Sequence, residues 1–182
     1  MKLNKIKGQS KNNFRFVLLA CILLIAGCGF HLRGYFPIPD EFKLLRIMPN
    51  QSFDPFLLAL RKTLINNGVK ILKRDNTADV KVATLTIVNQ NISERNVAYG
   101  TDVQANRAVM QLIVAYQLSD SSQKTVIENA SVQVTREFQI NPNAVLGTEN
   151  ERNHIRSELY LDAAAQLVRQ LSVALSPSSA FD

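Results

Sequence analysis

The sequence predicts an α+β fold, a mainly four-stranded antiparallel or mixed sheet with two helices packed on one face. Three observations carry this. The elements follow one another as strand, helix, strands, helix. Val126–Phe138 places Ala130, Val132, Val134 and Phe138 on one face, interrupted by Arg136, and Asn129, Ser131, Gln133, Thr135, Glu137 and Gln139 on the other. That is a strand covered on one side only, as in an antiparallel sheet. From Thr148 to Leu175, Ile155, Leu159, Ala163, Leu167 and Leu171 recur every four residues, the stripe of a long amphipathic helix.

The elements can be justified in order. Arg33–Phe42 holds two prolines and reads as an extended arm. Leu44–Met48 is a short apolar run closed by Pro49-Asn50, a first strand. Asp54 can cap a helix and Pro55 suits its first position. Phe53 and Leu58 stand where a hydrophobic staple would form. Leu57, Leu60 and Leu64 make the stripe and Asn66-Asn67-Gly68 the stop, so the helix runs over 55–67. Val69–Leu72 and Val80–Asn89 are strand-like runs, the second rich in Val, Ile and Thr. Gln90–Ala105 is long and polar and reads as a mobile connection. Arg107–Leu118 alternates, and Ser119–Ser122 reads as a hairpin loop before the one-sided strand. Thr148-Glu149-Asn150-Glu151 matches a capping box for the last helix, and Pro177 closes it. The tail 176–182 reads as flexible.

The chain has 182 residues, 21 basic and 15 acidic, a formal charge of +6 and a pI near 9.5. Taken whole, that balance points to a polyanion partner. Its distribution points elsewhere. Lys2, Lys5, Lys7, Lys11 and Arg15 all precede an apolar run of 11 residues, Phe16 to Ala26, and no acid occurs before Asp40. A basic start and a short apolar run before small residues describe a secretory signal peptide, over residues 1–27. A spanning helix needs about 20 apolar residues. Without the five signal-peptide bases, 16 basic residues face 15 acids. The remaining chain is nearly neutral and has no Lys/Arg run, which argues against a nucleic-acid partner.

Ile25-Ala26-Gly27-Cys28 resembles the bacterial lipobox. The resemblance implies that Cys28 receives a diacylglycerol on sulfur and an acyl chain on the amine freed by cleavage. Leu18-Leu19-Ala20-Cys21 is a competing site, but it leaves too short an apolar region before the cut. Acylation at more than one position gives a stable anchor. Gly29, in place of the Asp that often retains such lipoproteins at the inner membrane, implies export to the outer membrane. The mature chain then divides into a lipidated arm, 28–43, and a domain, 44–175. With Cys21 removed and Cys28 acylated, no disulfide, redox pair or Cys-based zinc site is expected.

The catalogue for catalysis is thin. His31 and His154 are the two histidines, and there is no HExxH, GxSxG, phosphate loop or GxGxxG motif. No catalytic residue, cofactor or metal site is expected. A cleft pairing His154 with a carboxylate would point back to an enzyme. Binding or scaffolding remains, and the amide- and hydroxyl-rich face of Val126–Phe138 fits a polar partner surface such as the lumen of an outer-membrane barrel.

Four stretches resemble the LptE (RlpB) family of LPS-assembly lipoproteins: Cys28-Gly-Phe-His-Leu-Arg33, Leu64-Ile-Asn-Asn-Gly-Val69, the Asn141-Pro142 turn, and Glu158-Leu-Tyr-Leu-Asp-Ala-Ala-Ala-Gln-Leu-Val-Arg169. They fall in order along nearly the whole mature chain. The resemblance implies two helices on a mainly four-stranded sheet. It also implies a plug inside the LptD β-barrel that assists its assembly and binds lipopolysaccharide (LPS) at the outer membrane. Phosphates of LPS need basic partners. The family's basic regions correspond to Arg95 and Arg107, and to Arg152 near the start of the last helix, where Thr148 stands at a position that is Lys in some relatives. The competing class is another periplasm-facing lipoprotein carrying a small ligand or lipid, which would need a deep apolar cavity between sheet and helices.

Overall fold

The structure, a computed structural model, describes residues 36–49, 53–72, 81–97, 107–140 and 145–176. The signal peptide, Cys28, His31 and the tail beyond Ser176 lie outside these residues. A short 3-10 turn, Asp40–Phe42, precedes β1 (Leu44–Met48), α1 (Pro55–Asn66) and β2 (Lys70–Ile71). Then come β3 (Ala83–Val97), β4 (Arg107–Ser119), β5 (Thr125–Gln139) and α2 (Val145–Ala174). The sheet order is β2-β1-β3-β4-β5. β1 runs parallel to β2 and β3, and β4 is antiparallel to β3 and β5.

The α+β class is as predicted, and the sheet is mixed. It has five strands where four were expected. The fifth is β2, two residues of the Val69–Leu72 run joined to β1 by Lys70 N–H donating to the Lys43 carbonyl at 2.7 Å and Leu72 N–H to that of Leu45 at 2.9 Å. The strand-like reading of that run holds for its two central residues.

α1 is built as its sequence dictates at both ends. The Asp54 carboxylate accepts from Leu57 N–H at 2.9 Å, with Pro55 in the first turn. At the other end Val69 N–H donates to Leu64 O and Gly68 N–H to Ile65 O, both at 3.0 Å. This is a Schellman close, and Gly68 supplies the left-handed residue at φ +83°. The expected staple does not form: Phe53 is 94% exposed and Leu58 51%. Phe56 and Leu57, one step away, bury instead.

β4 is the centre of the domain. Ala108, Met110, Leu112, Val114, Tyr116 and Leu118 alternate into the core and each is nearly inaccessible. Against them pack Leu159, Ala163, Leu167 and Leu171 of α2, and Leu60 and Leu64 of α1. Each fully buried leucine contributes roughly 1.5–3 kcal/mol. At 1.5 Å per residue α2 is about 45 Å long, enough to run the length of β4. The helix begins at Val145, so Thr148 lies inside its first turn and is not the cap the sequence predicted.

The largest departure is β3. Gln90–Val97 reads as a mobile connection by composition, yet it continues the strand, in register with β4 from Asn89↔Ala115 to Val97↔Arg107. The ladder to β4 holds it. The sequence signal fades there because both faces of this stretch are largely exposed, so no apolar alternation is required. Residues 98–106 lie outside the described part.

The β4–β5 hairpin turns where expected. The Asp120 side chain accepts from Ser122 N–H at 2.7 Å and Lys124 N–H at 3.0 Å, and Gln123 takes φ 65°. Two register shifts follow as β5 leaves the turn.

Candidate functional site

The sheet has a covered face and an open face. Paired residues share a face, so the register sorts them. The open face carries Asn89, Asn91, Ser93 and Arg95 from β3 and Ser131, Gln133, Thr135, Glu137 and Gln139 from β5. Between these rows runs a half-buried centre of Val109, Gln111, Ile113 and Ala115 on β4. The polar face expected for Val126–Phe138 is therefore wider than one strand. It has a second row on β3, and three of the nine polar residues, Asn91, Ser93 and Arg95, come from the stretch read as a connection.

The three candidate arginines gather at one end of the sheet, where β3 ends and β4 begins. They do not share a face. Arg95 pairs with Val109 and stands on the open side, exposed. Arg107 pairs with Val97 on that same side and forms an ion pair with Glu137 at 3.2 Å. Arg152 lies across the sheet on α2. Its Nε donates to both oxygens of Glu94 at 3.0 Å, and Nη1 donates to Glu149 at 3.0 Å. Those hydrogen bonds, Glu94's first, hold its guanidinium still further above its ordinary pKa. Arg152 is thus compensated by two carboxylates and ties α2 to β3. Arg95 is, among the described residues, without an ion pair.

A second bridge was not anticipated by the sequence reading. Arg136, the charge interrupting the apolar face of β5, points at α2, where Asp162 accepts from its Nη2 and Glu158 lies 3.8 Å from its Nε. The signal was available: two acids four apart on the facing helix. His154 pairs with Glu158 at 3.3 Å, but on an exposed flank of α2, with 67% of its side chain accessible. It is an i,i+4 surface pair and no cleft encloses it.

At the opposite end the arm docks. Phe36 N–H donates to Asn67 Oδ1 at 2.6 Å, and Ser172 Oγ donates to the Pro37 carbonyl at 2.7 Å. Ile38 and Phe42 are buried beside them. The arm is therefore fixed from Phe36 onward where both helices end.

Between sheet and helices the space is filled by side chains that are almost wholly buried. A depression of about 320 Å³ opens at the sheet margin, lined by Pro49, Asp54, Leu57, Ile87, Val88, Asn89 and Gln90. Among the described residues, no group of three His, Cys, Asp or Glu side chains could hold a metal ion, and no helix is long and apolar enough to cross a membrane.

Comparison with known proteins adds the decisive observation. The family model for LptE, described as lipopolysaccharide-assembly, matches residues 45–171, from β1 into the last turn of α2. The chain belongs to the LptE family. The LPS-assembly lipoprotein LptE of Pectobacterium atrosepticum is 31% identical over 158 residues, covering 87% of this chain and 84% of that one. The LptE of Photorhabdus laumondii is 34% identical over 155 residues, covering 82% and 80%. Among solved structures, an uncharacterized lipoprotein B from Nitrosomonas europaea superposes with a TM-score of 0.62 at 20% identity, over 84% of this chain and 94% of its own. A minor lipoprotein from Acinetobacter baumannii gives 0.61 at 19%, over 74% and 94%. These two show the shared fold. The resemblance drawn from four short stretches thus extends over the LptE domain as a whole, and family membership places the chain among lipopolysaccharide-assembly lipoproteins.

Proposed function

We propose that this LptE-family chain is an outer-membrane lipoprotein, anchored through acylated Cys28, that fills the lumen of the LptD barrel. There it helps the barrel assemble and takes part in delivering LPS to the outer membrane. The observation that carries the reading is the open sheet face, where polar rows of amides, hydroxyls and a few charges on β3 and β5 flank the half-buried centre of β4 over a filled core. A barrel lumen is polar and wet, and these rows present polar groups to it. The carrier reading needs a deep apolar cavity between sheet and helices, where the side chains of α1, α2 and β4 are packed.

LPS contact, on this reading, falls to the open end of the sheet. Arg95 is the leading phosphate partner. Arg107 joins it by exchanging Glu137 for a phosphate oxygen, a charge-assisted bond of similar kind. Arg152 serves the fold first, through Glu94 and Glu149.

Depletion tests the proposal. Without the chain, folded LptD and surface LPS should both fall, while barrels unrelated to LPS export keep their level. Normal LptD assembly in its absence would reject the plug role.

A further inference from the structure

β3 is 15 residues long, but β1 pairs only with Ala83–Thr86. From Asn89 to Val97 the strand keeps continuous register with β4 on one side. On its other side no strand lies among the described residues. Alternate residues along this margin therefore direct N–H and C=O groups outward with no strand to receive them. An edge of that length is a template for another extended chain.

Its composition sharpens the point. Asn89, Asn91 and Asn96 are poor strand formers, and Gln90, Ser93 and Glu94 give no apolar face to bury. Local preference opposes a strand here, which is why the sequence reads as a connection. Natural chains tolerate such conflicts where function requires them. The β5 edge differs: two register shifts interrupt it near the hairpin, and α2 packs along it through Arg136. Arg152 gripping Glu94 pins the β3 margin from the covered side.

We infer that the outer edge of β3, Asn89–Val97, is a strand-addition site that takes an extended segment of the barrel partner as a further strand of the sheet. The inference rests on the plug reading. Main-chain hydrogen bonds supply the attraction, and side chains of the added strand alternate between the two polar sides of β3. The barrel's wall strands are already paired to one another, so the segment is a loop reaching into the lumen.

Hydrogen exchange on the full lipidated chain, alone and in the complex co-purified with LptD, tests this. Alternate amides of 88–97 should exchange fast in the free protein and at least tenfold more slowly in the complex. Consecutive prolines give a second reading. Of Ile92→Pro and Ser93→Pro, one removes an outward N–H and the other a ladder bond to β4. The first should keep the melting temperature and lower recovered LptD at least fivefold. Equal exchange in both states, with LptD still co-purifying, overturns the strand-addition site and leaves the plug intact. A fold-retaining proline that leaves LptD recovery unchanged does the same. Protection that also appears in the free protein on self-association assigns the edge to a second copy and overturns it too. Failure of the unaltered chain to co-purify LptD removes the plug reading itself.

Discussion

The guanidinium of Arg152 reaches from α2 to β3 and holds both carboxylate oxygens of Glu94 at 3.0 Å from its Nε. Both side chains are about a quarter exposed, so the pair is partly shielded from water. It stands where the sheet outruns α1 and where apolar packing thins to the exposed Ile92. Charge takes over there the role that leucines play further down the helix.

Arg152→Gln should therefore act on stability before it acts on LPS. A loss of roughly 1 kcal/mol is expected, the scale of a well-formed, partly shielded ion pair. Glu94→Gln should cost a similar amount, and the double variant should cost clearly less than the two losses added. Chemical denaturation of the four proteins measures it. Full additivity would show that the two side chains do not interact.

Arg95 and Arg107 should behave the other way. Arg95→Glu with Arg107→Glu should leave the melting temperature within a few degrees and weaken LPS binding at least tenfold, since hydrogen bonds to charged groups are worth about 1.5–3 kcal/mol. Affinity for purified LPS is the readout. Unchanged affinity would move the phosphate site elsewhere on the chain.

Tyr116 sets an alkaline limit. It is 2% exposed and donates to Gln170 Oε1 at 2.9 Å. Burial raises its pKa above the usual tyrosine value. Its protonated form is the one the fold accepts, so its contribution is fully present below the ordinary value near 10. It is lost as pH climbs toward the raised folded value. Tyr116→Phe should cost about 0.5–1.5 kcal/mol at neutral pH through the lost hydrogen bond. It should also flatten the fall of stability above pH 10. Parallel alkaline curves for the two proteins would place the titration elsewhere.

Gly68→Ala isolates backbone preference. A Cβ there meets no heavy atom within 4 Å, so crowding does not enter. At φ +83° the left-handed conformation itself should cost about 1–2 kcal/mol. An unchanged melting temperature would mean that the helix can close in another way.

Much of this fold was legible because several of its boundaries carry local chemistry. Asp54, Pro55 and Gly68 mark both ends of α1, and the fourfold stripe from Ile155 to Leu171 marks the buried side of α2. What could not be read was held by partners distant in sequence. Gln90–Val97 is a strand because β4 pairs with it. Phe53 matched a staple by position, but the chain turns it outward. Of the candidate arginines, the resemblance grouped Arg95 with Arg107 and set Arg152 in a second region near the start of the last helix. The structure sets Arg95 and Arg107 on one open face and Arg152 on the other side of the sheet, where Glu94, 58 residues away, binds it.

The anchor has its own test. Mass spectrometry of the mature N-terminus should find Cys28 first in the chain, carrying the diacylglycerol and acyl masses. A start at another residue, or an unmodified Cys28, contradicts the lipobox.

The most direct measurement of the plug role is affinity purification of the tagged, full-length chain from detergent-solubilised outer membranes, followed by the stoichiometry of what comes with it. One intact LptD barrel per chain is expected, resistant to separation until the barrel is unfolded. Recovery of the chain alone, with LptD folded and abundant in the same membranes, would contradict it.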